Sequence, residues 1–438
     1  MWQSFKRPAL FLALIVVSLV LAACSEDTDD TDGDNGAITR GPETPIVIAA
    51  GEPIIIGVSL PLTGPVGEAG SENRDALIVS VNRWKEANGS KIAGHDIEIR
   101  VEDDGCFEAD VTRVAAERLL RLKGLVGVIG PACSDGATAV IPTYAAAGVV
   151  TISGSATANS LTDDQPEGGF FFRTAYRNDL EGTLIGLFLV GFESAYFVDD
   201  SGSYAVDLAT NALRVAEAGD VVVTRESIIP GTVDFSALAE RIAQANPDFV
   251  GFAGFNPEAA LLYRQLRDAG YNGIFGAGDG AASQTDFVEP VGVLAEGVLF
   301  AGCAYPLQDL LDDFVDLHGD EPSAAFAAQH ADAATVLLDA VAQVAEEQED
   351  GSLIIRPTEL RDAVRATVLE DGISGAIAFN ENGDRVPPGD VSLDSFVSTA
   401  LANQDNSGYV DLGLIPCQVQ DGRLVNLLGP NAGEIRLP

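Results

Sequence analysis

The chain has 438 residues, room for two or three domains of about 150 residues each, and 47% of them are hydrophobic, which is the composition of a packed core and not of a disordered coil. Lys and Arg number 25 against 66 Asp and Glu, a formal net charge of −41. That excess argues against nucleic-acid binding and against docking on an anionic membrane surface, both of which need basic patches; it favours solubility and identifies no ligand.

The N-terminus reads as an export signal. Lys6-Arg7 precedes an uncharged run from Pro8 to Ala23, short for a bilayer span, which needs about 20 residues. The run closes with Leu21-Ala22-Ala23-Cys24, and a Cys directly after Leu-Ala-Ala resembles the bacterial lipobox, where that Cys becomes the lipidated first residue. Residues 1–23 are therefore expected to be a lipoprotein signal peptide with Cys24 as the lipidation site. Residues 24–51 are expected to be an acidic disordered tether, since Ser25–Asp34 holds six acids and no apolar periodicity. Asp30, Asp32 and Asp34, and again Asn403, Asp405 and Ser407, fit only half of a calcium loop and read as tether and turn.

From Ile54 strands and helices alternate. Ile54–Leu60 is apolar except at Gly57 and Ser59, as in a strand buried on both faces. A helix over Asn73–Ala87 follows, with Leu77, Val81 and Trp84 at helical spacing. Then come strand Ile97–Asp103, helix Asp110–Lys123, strand Val126–Gly130, helix Ser134–Ala147 and strand Val149–Ser153. Alternation of this kind implies parallel pairing through right-handed crossovers. The pattern restarts after about residue 175, with strands at Ala195–Val198, Val221–Arg225, Phe249–Ala253, Ile274–Gly276 and Gly297–Phe300. Helices fall around Tyr204–Ala218, Phe235–Gln244 and Asn256–Ala269, and two more are expected at Ser323–Glu347 and Thr358–Thr367. Ile373–Phe379 and Tyr409–Val419 read as β structure. Two similar α/β halves predict two lobes facing each other.

With Cys24 set aside, four cysteines remain in an exported chain, an even count that favours disulfides. Cys106 and Cys133 each follow a strand, and the C-terminal ends of neighbouring parallel strands lie side by side, so these two form the natural pair. Cys303 and Cys417 are left for each other, although spacing alone does not fix the connectivity. Catalytic equipment is missing from the sequence pattern. His95, His318 and His330 have no second His or Cys at metal-ligand spacing. No phosphate loop or Gly-x-Ser-x-Gly elbow occurs, and Gly276-Ala277-Gly278-Asp279-Gly280 does not open a long helix. A binding protein without metal or cofactor is expected, not an enzyme.

At this point the chain resembles the leucine/isoleucine/valine-type periplasmic binding proteins of ABC importers over residues 52–420. Ile55-Ile56-Gly57-Val58-Ser59-Leu60-Pro61-Leu62-Thr63-Gly64-Pro65 is similar to that family's first strand and Ser/Thr-Gly-Pro turn. Glu102-Asp103-Asp104-Gly105-Cys106 with Val128-Ile129-Gly130-Pro131-Ala132-Cys133-Ser134 resembles its disulfide-bearing pair. Ser153-Gly154-Ser155-Ala156-Thr157 resembles its ligand loop, and Phe379-Asn380-Glu381-Asn382-Gly383-Asp384 its late hairpin. The resemblance implies a two-lobed type I fold, each lobe a parallel sheet flanked by helices. The lobes would comprise residues 52–175 with 305–372, and 176–304 with 373–438. It implies a monomeric, lipid-anchored, extracytoplasmic receptor that captures a small polar ligand by hinge closure and delivers it to a membrane permease. The ligand would be a branched-chain or other amino acid. The alternatives are a sensor subunit of a membrane receptor or kinase, or a binder of amides, urea-like compounds or aromatic acids.

The site implied is two-sided. Ser134 and the loop Ser155, Ala156, Thr157 follow strand ends, where open α/β sheets bind ligands, and their hydroxyls and N–H groups suit a carboxylate. In the resembled family an acid at the position of Asp279 pairs with the α-ammonium group. Tyr204 matches an aromatic at the start of a second-lobe helix, and Phe255 a position that covers the ligand. Glu68 or Ala69 should also face the cleft. Ala158 before Asn159, and the missing hydroxyl on Phe255, depart from the leucine binders and weaken a leucine assignment.

Overall fold

The computed structural model describes residues 40–166, 168–386 and 413–427. The expected signal peptide, Cys24, the start of the tether and the turn at Asn403–Ser407 lie outside the described residues.

The first sheet has six strands, in the order Lys91–Ile92, His95–Asp103, Ile54–Leu60, Leu125–Ile129, Val150–Ser153, Phe171–Arg173. Ile54–Leu60 sits inside it, parallel to both neighbours, with all seven residues buried, as its apolar run requires. Helix Gly67–Asn88 and the long helix Ala327–Val344 cover it, burying Leu77, Val81, Trp84, Leu337 and Val341 in one core with Ile56 and Val58. The second sheet has seven strands, in the order Arg423–Asn426, Cys417–Gln420, Leu299–Phe300, Ile274–Ala277, Phe249–Ala253, Ser194–Asp199, Val222–Ser227. It is parallel from Leu299–Phe300 onward and antiparallel at the Cys417 end. Its flanking helices include Asn178–Leu189, Ser203–Ala218 and Glu258–Asp268.

Both bridges form, Cys106–Cys133 with Cα atoms 5.2 Å apart and Cys303–Cys417 with 6.1 Å. The reason given for the first needs correction. His95–Asp103 and Leu125–Ile129 are not neighbours, because Ile54–Leu60 lies between them. The bridge instead crosses the end of that middle strand. Ser59 donates to Asp104 at 3.0 Å, and Gly130 (φ 112°) passes so close that a Cβ there would lie 2.0 Å from the Ser59 carbonyl oxygen. Only glycine fits that approach.

Other expectations shift too. The tether does not extend to residue 51, because Ile46–Ile48 forms a strand antiparallel to Leu353–Ile355. Ile46 and Ile48 point inward while Val47 is 62% exposed, a period-two pattern too short to stand out beside the acidic run. The hairpin Ile377–Phe379 with Arg385–Val386 was expected with the second lobe and instead packs on the first sheet, with the Phe379 ring edge-on to Phe172 at 5.4 Å and Ile377 in the first core. The long helix starts at Ala327 and not at Ser323, since Phe326 has φ 82° and cannot belong to a helix. Strand Phe171–Arg173 and helix Asn178–Leu189 were not anticipated.

Candidate functional site

The C-terminal ends of the two sheets bring together a cavity of about 80 Å³. Roughly 10–15 Å³ of such space admits one water, so the cavity is several waters in size. Ser134, Ser155, Tyr204, Phe255 and Asp279 all line it. Ala69 also lines it, whereas Glu68 is exposed and turned toward His318.

On the first-lobe side, helix Ser134–Ala146 starts directly after Cys133, so the bridge anchors its free N–H end. The Ser134 hydroxyl accepts from Ala158 N–H at 3.1 Å, and the Ser155 hydroxyl donates to the Ala132 carbonyl at 2.8 Å. Ser153 donates to the Pro131 carbonyl at 2.7 Å and accepts from Ala156 N–H at 2.9 Å. The two loops are thus knitted into one wall. Ala156 and Thr157 are buried behind that wall and are not among the residues lining the cavity; the Ala156 carbonyl accepts from Arg173 instead. Gly154 lies flat on His330, where a Cβ would come within 2.5 Å of the imidazole ring. Burial pushes His330 down to about 4, so the ring is neutral at neutral pH, with Nδ1 bonded to the Phe326 carbonyl at 3.0 Å.

On the second-lobe side, Asp279 follows strand Ile274–Ala277 and is largely buried where it lines the cavity, not solvated as a lone acid would be. The Tyr176 hydroxyl donates to it at 3.0 Å. Its own N–H donates to Glu181 Oε1 at 2.8 Å, and Gly280 N–H donates to the Tyr204 hydroxyl at 3.2 Å. Glu181 is fully buried, and its Oε2 has no hydrogen-bond donor. Burial first, then the Asp279 charge, pushes Glu181 well above the usual carboxylate range. Burial also raises Asp279, against hydrogen bonds from Tyr204, Glu181 and Tyr176. Burial beside the Asp279 charge therefore favours the protonated form of Glu181. Among the described residues, no cation acts on either acid.

The walls also touch outside the cavity. Ser203 N–H donates to Asp135 at 3.0 Å, Asn159 N–H donates to Asp207 at 2.8 Å, and Phe107 meets Phe255 edge-on at 4.9 Å. Sequence reasoning missed Glu181, Asn73, Asn256 and Phe326. Glu181 lies on the unanticipated helix, and Asn73 was read only as the start of a helix. The structure also brings ligand atoms of Glu68, Glu72 and His318 within 4.8 Å of one another, which sequence spacing could not reveal. Glu72 is already engaged there by the N–H and hydroxyl of Ser323 and the N–H of Ala324.

Comparison with known proteins places this geometry. The family model described as periplasmic binding protein matches residues 53–393. The leucine-, isoleucine-, valine-, threonine-, and alanine-binding protein of Pseudomonas aeruginosa is 27% identical over 343 residues, 76% of this chain and 88% of that protein. The Leu/Ile/Val-binding protein BraC3 of Rhizobium johnstonii is 30% identical over 340 residues, again 76% and 88%. The solved leucine-binding protein LivK of Thermotoga maritima shares the fold, with a TM-score of 0.70 at 23% identity, covering 85% of this chain and 97% of that one.

Proposed function

The chain belongs to the periplasmic binding protein family, and from that premise we propose that it is the lipid-anchored, extracytoplasmic receptor of an ABC importer, specific for an amino acid. The observation that carries the reading is the polarity of the cavity. One wall offers the Ser134 hydroxyl at a helix start; the other offers a buried acid pair with no counter-cation among the described residues. An α-amino acid zwitterion has the same two ends. Its carboxylate would rest on the Ser134–Ser155 wall, as anions do at helix N-termini. Its ammonium group would supply the missing positive charge at Asp279, with Tyr204 and Phe255 closing over it. Ala156 and Thr157 would shape the loop from behind.

In this reading the lobes approach by hinge closure, and the contacts Asp135–Ser203 and Asn159–Asp207 are the ones that form on approach. The protein acts as a monomer that hands its ligand to a permease and catalyses no reaction. The names of the Pseudomonas and Rhizobium relatives, both amino-acid binders, support the ligand class. The decisive test is mass spectrometry of the ligand released from purified protein, followed by a thermal-shift panel, since a ligand that binds only the folded state raises Tm. A response confined to compounds without an amino group overturns the amino-acid assignment. The anchor is tested separately: Cys24→Ser should move the protein from the membrane to the soluble fraction, and equal membrane retention would refute lipidation at Cys24.

A further inference from the structure

Resting on the amino-acid reading, we infer that the ligand's side chain ends in a hydrogen-bond donor, a hydroxyl or a carboxamide, and not in methyl groups. Once the carboxylate and ammonium ends are placed, the remaining polar wall consists of Asn73, Asn256, Ser283 and Asp286. Asn256 decides the sign of the interaction. Its Nδ2 donates to the Ala281 carbonyl at 3.0 Å, which fixes the amide, and its Oδ1 is buried with no donor. Asn73 likewise has a buried Oδ1 without a donor. Both residues are only 4% exposed. Buried amide oxygens are nearly always satisfied in folded proteins, so two orphans lining one small cavity point to a donor that is brought from outside.

The surroundings hold this arrangement in place. Glu72, next to Asn73, grips Ser323 and Ala324, and so sets the rotation of helix Gly67–Asn88 about its axis. Ser283 accepts from Asp286 N–H at 3.0 Å and leaves the Asp286 carboxylate on the same side of the cavity. At this end the Asn256 oxygen, with its amide fixed by Ala281, and the Asp286 carboxylate are acceptors. An aliphatic side chain would seal both amide oxygens away from water without replacing their partners. Sites built to bond a polar group reject the analogue that lacks it.

Calorimetry on the full soluble chain with two near-isosteric pairs, threonine against valine and asparagine against leucine, tests this directly. The polar member of each pair should bind at least tenfold more tightly, which is about 1.4 kcal/mol. Asn256→Leu and Asn73→Leu should each narrow that preference while leaving valine and leucine binding the same or stronger. The wild-type comparison needs no variant to fold. Valine and leucine binding as tightly as their partners overturns the inference and leaves the amino-acid reading standing. If none of the four binds, the inference falls; a response to another amino acid then preserves the broader reading, and a response only to acids without an amino group ends both.

Discussion

Two buried clusters of ionisable groups, one behind each wall of the cavity, are built to opposite rules. Behind the first wall, Arg173 is completely buried and fully matched: Nε donates to Asp384 at 2.8 Å, and Nη1 donates to the carbonyls of Ala156 at 3.2 Å and Ala158 at 2.8 Å. Arg177 adds a second cation to Asp384 at 3.0 Å and reaches Asp163 at 2.9 Å. Burial pushes Asp384 up, but the two guanidinium groups pull harder and hold it below the ordinary carboxylate range. Behind the second wall, Glu181 and Asp279 have two tyrosines and each other and, among the described residues, no cation. A matched cluster is finished when the chain folds. An unmatched one is finished only when something positive arrives, which is why the proposed site puts the ligand's ammonium group there.

The largest expected effect separates the two clusters. Asp384→Ala strands Arg173 and should cost about 3–5 kcal/mol of stability in urea unfolding of the ligand-free protein. Asp279→Ala strands no cation, so ligand-free stability should hold or rise, while affinity for an amino acid falls by roughly two to four powers of ten. Equal destabilisation by both variants would erase the distinction between them.

A smaller effect tests how the first wall is held. Cys106→Ser with Cys133→Ser opens a loop of 27 residues' separation, for which chain entropy predicts a loss of about 3 kcal/mol. Because Ser134 follows Cys133 directly, ligand affinity should fall with it, even at temperatures where the variant remains folded. Unchanged affinity in the folded variant would mean that the helix start is positioned by the Ser153 hydrogen bonds alone.

The scaffold was more legible than the cavity. The apolar run Ile54–Leu60 and the strand–helix spacing after it could have few other meanings, and Ser134, Ser155 and Asp279 sit after strands that period and composition made visible. Arg173 and Glu181 lie in the stretch between the two halves, where a three-residue strand and a helix rich in apolar residues on all sides show no clean period. Their partners are far away in sequence: Arg173 finds Asp384, and Glu181 finds Asp279. Such pairings depend on tertiary packing that local patterns do not encode. The same holds for the hairpin at Ile377, whose attachment to the first sheet is decided by Phe172 and Arg173.

The finest test concerns the proton that Glu181 holds. Its folded-state pKa lies well above the value near 4.3 expected in the unfolded chain, so the native state binds more protons than the unfolded state in between. Ligand-free stability must then fall as pH rises from about 4.3 toward the folded pKa, by at most about 1.4 kcal/mol per pH unit for one proton. Glu181→Gln keeps the shape and a hydrogen-bond donor toward Asp279 but cannot ionise, so its stability should fall less steeply over that range. Asp104 and Asp200, each pushed up to about 6 chiefly by burial, slope the same way in both proteins and cancel in the difference. His330, pushed down to about 4 by burial, slopes the other way below about 6.5 and cancels too. An ammonium ligand favours the ionised acids, so wild-type affinity should rise with pH where the variant's stays flat. Identical pH profiles for the two proteins would place the shared proton elsewhere and remove the acid pair's claim to be unmatched.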